Sequence, residues 1–131
     1  MQFELHFNAF HRINFVEPEN SLVYTGTHDN NTVVGWLEND IDTETRAAVA
    51  KLLGKEGADS QTLCQALVEH AYASRARTAI VPVWDILALD GDNRMNLPGT
   101  SGGNWSWRVL PGALTSEKAK WLAGLVEKYN R

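Results

Sequence analysis

Short apolar runs separated by polar, turn-rich stretches divide the chain, and their spacing predicts an alternation of strands and helices. Residues 1–10 are expected as a strand, followed by irregular chain that closes on the turn Glu17-Pro18-Glu19-Asn20. Residues 21–24 read as a short buried strand, identified from its flanks because four residues carry no periodicity. Asp42 is placed to cap a helix running toward Leu53, with Val49, Leu52 and Leu53 on one face and Gly54 just past its end. A second helix starts at Ser60. There Leu63, Leu67 and Ala71 recur every fourth residue beside Cys64 and Val68, the stripe of a helix lying on a core. β-Branched residues dominate 78–83 and no helical period fits, so a strand is expected that finishes near Pro82, which lacks an amide hydrogen for the ladder. A short helix over 84–89 and a turn over 90–93 follow. Residues 94–107 form a long glycine-rich loop whose two tryptophans argue for order and function. Leu114, Trp121, Leu122, Leu125, Val126 and Tyr129 make the apolar face of a closing helix, with Thr115 and Ser116 as its caps. Strand, helices, strand, loop and helix in this order indicate an α/β architecture with parallel strands.

The first strand supplies the candidate chemistry. Leu22-Val23-Tyr24 ends abruptly in Thr25-Gly26-Thr27-His28-Asp29-Asn30, which sets a histidine beside a carboxylate where a strand gives way to a loop. Working side chains concentrate at such strand ends in barrels of alternating strands and helices. The same carboxylate also suits the cap of a helix opening in Thr32-Val33-Val34-Gly35-Trp36-Leu37, and spacing leaves both readings open.

Composition narrows the setting. With 131 residues and 44% hydrophobic content, the chain can bury one modest core. A net charge of −4 with scattered Lys and Arg makes nucleic acid an unsuitable partner. No export signal or membrane segment is read. Cys64 is the only cysteine, which excludes an internal disulfide and a cysteine-based zinc site and fits a cytoplasmic protein.

Three blocks carry a family resemblance. Tyr24 to Trp36 (YTGTHDNNTVVGW), Ala73 to Leu87 (ASRARTAIVPVWDIL) and Arg94 to Trp107 (RMNLPGTSGGNWSW) together resemble the C-terminal part of the 4-α-glucanotransferases, also called amylomaltases, in the family's order and at about its spacing. The family usually has an aspartate where this chain has Asn31, and residues 1–20 match poorly. The resemblance implies a (β/α)8 barrel, which takes about 250 residues. The chain would therefore be about the last third of a TIM barrel, incomplete as a closed barrel. Residues 1–131 would form one partial segment, with residues 22–25 in the seventh strand, 78–83 in the eighth and 1–10 at best a remnant of the sixth.

The implied activity is a retaining transfer of α-1,4-glucan segments, with one carboxylate forming a covalent glycosyl-enzyme and a second acting as acid and then base. Neither motif is present here. Asp29 matches the family's third carboxylate, which stabilises the transition state, and His28 and Asn96 are the implied sugar contacts. No cofactor is expected. The substrate would be an α-1,4-glucan or maltooligosaccharide, and the missing N-terminal part of the barrel a possible partner. Three functions follow: part of a glucanotransferase inactive alone, a subunit completing a split enzyme, or a glucan-binding module without catalysis, against which open barrel edges argue.

Four other features have plainer explanations. Asp85 suits the cap of a helix over 86–89 better than a place on the rim. Trp105 and Trp107, two apart, are expected to point the same way and pack the loop onto the barrel rather than stack on sugar. A metal site from His6, His11, His28 and Asp29 fits no zinc spacing, so no metal is assigned. Arg94 either anchors its loop through a carboxylate or touches substrate.

Overall fold

The computed structural model describes residues 18–131. Strand β1 (Leu22–Tyr24) pairs in parallel with β2 (Thr78–Ile80), with Leu22 opposite Thr78 and Tyr24 opposite Ile80. Helices occupy the connection between them, as parallel pairing requires. The strand expected to finish near Pro82 stops at Ile80, because Pro82 already serves as the N-cap of the next helix. Among the described residues the sheet has two strands and does not close. The strand expected at residues 1–10 lies outside the described part.

One face of this sheet is covered and the other is not. Val23 is buried and Ala79 half-buried against the helices, whereas Leu22, Tyr24 and Ile80, on the alternate face, are exposed at 49%, 39% and 52%. The core lies between the covered face and the helices, built from Val23, Val33, Val34, Leu37, Val49, Leu63 and Leu67.

Helix α1 (Val33–Gly35) begins at Thr32, whose hydroxyl accepts the Gly35 amide at 3.0 Å, and continues into a π-turn over Trp36–Asp40. Helix α2 (Thr43–Leu52) is capped as expected by Asp42, which accepts the Thr45 amide at 2.7 Å. Its C-terminus is closed by Gly54 in the left-handed region, at φ 65°. Its expected face is only partly right: Val49 is buried, but Leu52 is exposed at 47%. Helix α3 (Ser60–Ala73) starts at Ser60 as expected, is capped by Asp59, and buries Leu63, Cys64, Leu67, Val68 and Ala71 as its spacing predicts. Helix α4 (Val83–Ile86) is shorter and earlier than the expected 84–89, and a 3-10 turn over Gly91–Asn93 follows it.

Helix α5 (Ser116–Tyr129), capped by Thr115, lies against α3. Glu69 joins the two by accepting from Lys128 and Tyr129, and the Arg131 guanidinium donates to the carbonyls of Tyr72, Ser74 and Ala76. The cation satisfies carbonyls at the end of α3, at Tyr72 and Ser74, and ties down the chain just beyond it at Ala76. Of the apolar face expected for α5, only Leu125 is buried, and Leu114 and Val126 are exposed. Among the described residues, no helix is long and apolar enough to cross a membrane.

A backbone contact holds the two loop systems together. A Cβ added to Gly35 would meet the Gly91 Cα at 2.6 Å and would also run into the Asn31 side-chain oxygen, so α1 and the 3-10 turn touch main chain to main chain. In an ordinary helix interior, Gly→Ala stabilises by about 1 kcal/mol. Here the clash outweighs that gain, and Gly35→Ala is expected to destabilise by about 1–3 kcal/mol. Urea unfolding checks it, and a gain in stability would show that the two backbones can separate freely.

Candidate functional site

The turn after β1 builds itself from short polar side chains. Thr25 follows the strand directly and is fully buried, with its hydroxyl donating to Asp85 Oδ2 at 2.6 Å. Beyond Gly26, the Asn30 side-chain oxygen accepts from both the amide and the hydroxyl of Thr27, at 2.8 and 2.9 Å. The Asn30 amide returns to the Thr27 carbonyl at 3.2 Å. This closed turn presents His28 and Asp29 with side chains 53% and 55% exposed. Asp29 caps no helix. Thr32 caps the helix that follows, so the capping reading of Asp29 falls.

The glycine-rich loop comes to the same turn. Asn96 Nδ2 donates to Asp29 Oδ1 at 2.7 Å, and His28 Nε2 stands 3.4 Å from the same oxygen. Arg94 donates to the Asp29 carbonyl at 3.1 Å and to the Asn96 carbonyl at 3.0 Å. It therefore anchors the loop through main-chain carbonyls rather than through the expected carboxylate. Asn104 closes the loop from within, accepting the Leu97 amide at 2.8 Å and donating to Thr100. His28, Asp29 and Asn96, three residues singled out from sequence, thus converge on one exposed patch at the C-terminal end of β1. An exposed carboxylate flanked by an amide and an imidazole can exchange hydrogen bonds with an array of hydroxyl groups.

Two further expectations are corrected. Asp85 neither lines the rim nor caps its own helix: 1% exposed, it accepts from Thr25 and from the Val33 amide at 2.9 Å, tying α4 to the end of β1 and the start of α1. Burial pushes its carboxyl up to about 6, partly offset by the Thr25 hydroxyl and the Val33 amide. Trp105 and Trp107 do not share one role. Trp107 packs edge-on against Trp84 at 5.6 Å and donates its indole N–H to Asn93, as a packing residue should. Trp105 instead adopts φ 61°, so the extended geometry behind the expectation breaks there, and its ring lies 4.9 Å from that of His28. Asn31 explains itself: it donates to the Asp40 carboxylate at 3.2 Å, where an aspartate would set two carboxylates face to face.

Among the described residues no three metal-ligating side chains gather, and His6 and His11 lie outside them. Sequence reasoning missed Thr25, Asn30 and Asn104 as builders of the site. Their only signal was small polar residues after an apolar run, for Thr25 and Asn30, and within a glycine-rich loop, for Asn104.

A 4-alpha-glucanotransferase family model (glycoside hydrolase family 77) matches residues 1–115. The chain is 42% identical over 114 residues to the 4-alpha-glucanotransferase of Streptococcus pneumoniae serotype 4, covering 87% of this chain and 22% of that protein. It is 39% identical over 127 residues to the Thermus thermophilus enzyme, covering 95% of this chain and 25% of the relative. A chloroplastic/amyloplastic relative from Solanum tuberosum is 39% identical over 117 residues, covering 86% of this chain and 20% of its own length. The fold overlays part of the amylomaltase from Streptococcus agalactiae solved in complex with acarbose, with a TM-score of 0.85, 30% identity, and coverage of 97% of this chain and 26% of that one. The chain thus spans about a fifth to a quarter of the length of these relatives. Matched by the family model over residues 1–115 and in fold by that amylomaltase, the chain belongs to the 4-alpha-glucanotransferase family.

Proposed function

We propose that the chain is the C-terminal part of a 4-alpha-glucanotransferase, with β1 and β2 as the seventh and eighth strands of a (β/α)8 barrel and Asp29 as the carboxylate that stabilises the transition state. The convergence of Asp29, His28 and Asn96 at the C-terminal end of a parallel strand carries this reading, because such barrels do their chemistry on that face. Breaking a glycosidic bond with retention builds positive charge at the anomeric carbon. An ionised carboxylate accepting from the hydroxyls of that sugar binds more tightly as the charge grows, which lowers the barrier rather than merely holding the substrate. Asn96 fixes Asp29 Oδ1, and His28 offers an N–H to a neighbouring hydroxyl. The acarbose bound to the Streptococcus agalactiae amylomaltase supports a glucan as the ligand.

The nucleophile and the acid/base belong to earlier strands in this reading. Polypeptide carrying those strands, from the same protein or a companion chain, would cover the open face of Leu22, Tyr24 and Ile80. The test mixes the purified chain with maltotriose and follows shorter and longer glucans by chromatography. No products are expected from the chain alone, and disproportionation is expected once the earlier strands are supplied. Transfer by the chain alone would show that the leading carboxylates are not needed from elsewhere. Inactivity with all strands supplied would remove the reading altogether.

A further inference from the structure

Trp105 presents an indole that is left largely open among the described residues. It is 56% exposed, while Trp36 and Trp84 are buried at 7% and 8%. Its φ of 61° lies in the left-handed region, which a bulky side chain seldom occupies. The backbone is held there from both sides: the Trp105 amide donates to the Met95 carbonyl at 2.8 Å, and its own carbonyl accepts from Arg108 at 3.3 Å. Gly103, at φ 77°, and the Asn104 side chain shape the approach. The result is an indole tilted 41° against the His28 ring at a centroid distance of 4.9 Å, beside Asp29. Strain kept for a buried side chain is repaid by packing. Strain kept for an exposed one is repaid by what that side chain meets, and such outliers gather at ligand sites.

We propose that Trp105 is a stacking platform for a pyranose ring of an α-1,4-glucan, next to the glucose contacted by His28, Asp29 and Asn96; this rests on the glucan-transfer reading of that turn. The C–H faces of a pyranose are apolar while its hydroxyls point outward around the rim. A flat indole buries the face and leaves the hydroxyls to the polar residues beside it. His28 covers part of the ring and fixes its inclination, so the platform is formed before glucan arrives and little side-chain freedom is lost on binding.

The experiment uses an active glucanotransferase containing this segment. Oxidation of tryptophans by N-bromosuccinimide, located by mass spectrometry, is expected to modify Trp105 readily in the free protein and to be suppressed there by saturating maltoheptaose. Trp105→Ala is expected to raise KM for maltoheptaose about tenfold with kcat changed by less than about threefold, and Trp105→Phe to recover most of the loss. Undiminished oxidation of Trp105 under glucan that the enzyme is turning over overturns the proposal, as does an unaltered KM in Trp105→Ala. The oxidation readout needs no variant, so it stands even if Trp105→Ala fails to fold. If Asp29→Asn remains fully active, the reading of the turn fails independently of what Trp105 does.

Discussion

Asp29→Asn, made in an active protein containing this segment, is expected to lower kcat by about a thousandfold or more while KM changes by less than about tenfold. The substitution isolates charge from shape. Asparagine keeps a side-chain oxygen for Asn96 Nδ2, now donating to Asp29 Oδ1 at 2.7 Å, and the turn set by Thr27 and Asn30 does not depend on residue 29's carboxylate. What disappears is the negative charge that, in the proposed role, strengthens its hydrogen bonds to sugar hydroxyls as the anomeric carbon becomes cationic. Ground-state glucan carries no such charge, so binding should suffer far less than turnover. Steady-state kinetics on maltotriose resolves the two. Turnover within a few-fold of the unsubstituted protein would reject the assigned role and reduce Asp29 to a loop residue.

Much of this arrangement is legible in the sequence where the cause is local. The α3 stripe of Leu63, Leu67 and Ala71, the Asp42 cap and the parallel strand pair all follow from spacing and end signals within a few residues. His28 and Asp29 stand out at a strand end and Asn96 through motif resemblance, and the structure adds that Asn96 reaches Asp29 across 67 positions of chain. What stayed hidden has distant causes. Asp85 sits where a local cap would be expected, but its donors are 60 and 52 positions away, at Thr25 and Val33. Trp105 breaks a local rule, since nothing in the tripeptide Trp105-Ser106-Trp107 announces a left-handed residue. Leu52 and most of the α5 face read as buried because amphipathic spacing shows which face is apolar, not how much of it finds a partner.

Replacing Asp85 should expose the support beneath the turn. The carboxyl is 1% exposed, and burial moves it from 3.8 to about 6 in the folded protein. Between those values the folded state binds a proton that the unfolded state has released, so stability from this group is fully present below about 3.8 and is lost as pH rises through about 6. At neutral pH the deficit is on the order of 3 kcal/mol. Asp85→Asn mimics the protonated form: its oxygen can accept the Val33 amide and its amide can donate to the Thr25 hydroxyl. The variant should therefore be at least as stable as the unsubstituted protein at pH 7.5 and lose the part of the pH slope that lies in this window. Other carboxylates contribute to the total slope, and the difference between the two proteins cancels them. Asp85→Ala leaves both donors buried without an acceptor, an expected loss of about 2–4 kcal/mol at pH 5 and less at pH 7.5, where the charged reference is itself weakened. Urea unfolding at the two pH values measures both, and an Asn variant that keeps the original slope would place the titration on another group. Because Thr25 leads directly into the Asp29 turn and Val33 opens the helix after it, the Ala variant made in an active protein containing this segment should also lower kcat, whereas the Asn variant should leave it nearly intact. That contrast ties the position of Asp29 to the hydrogen bonds of Asp85 and not to its charge.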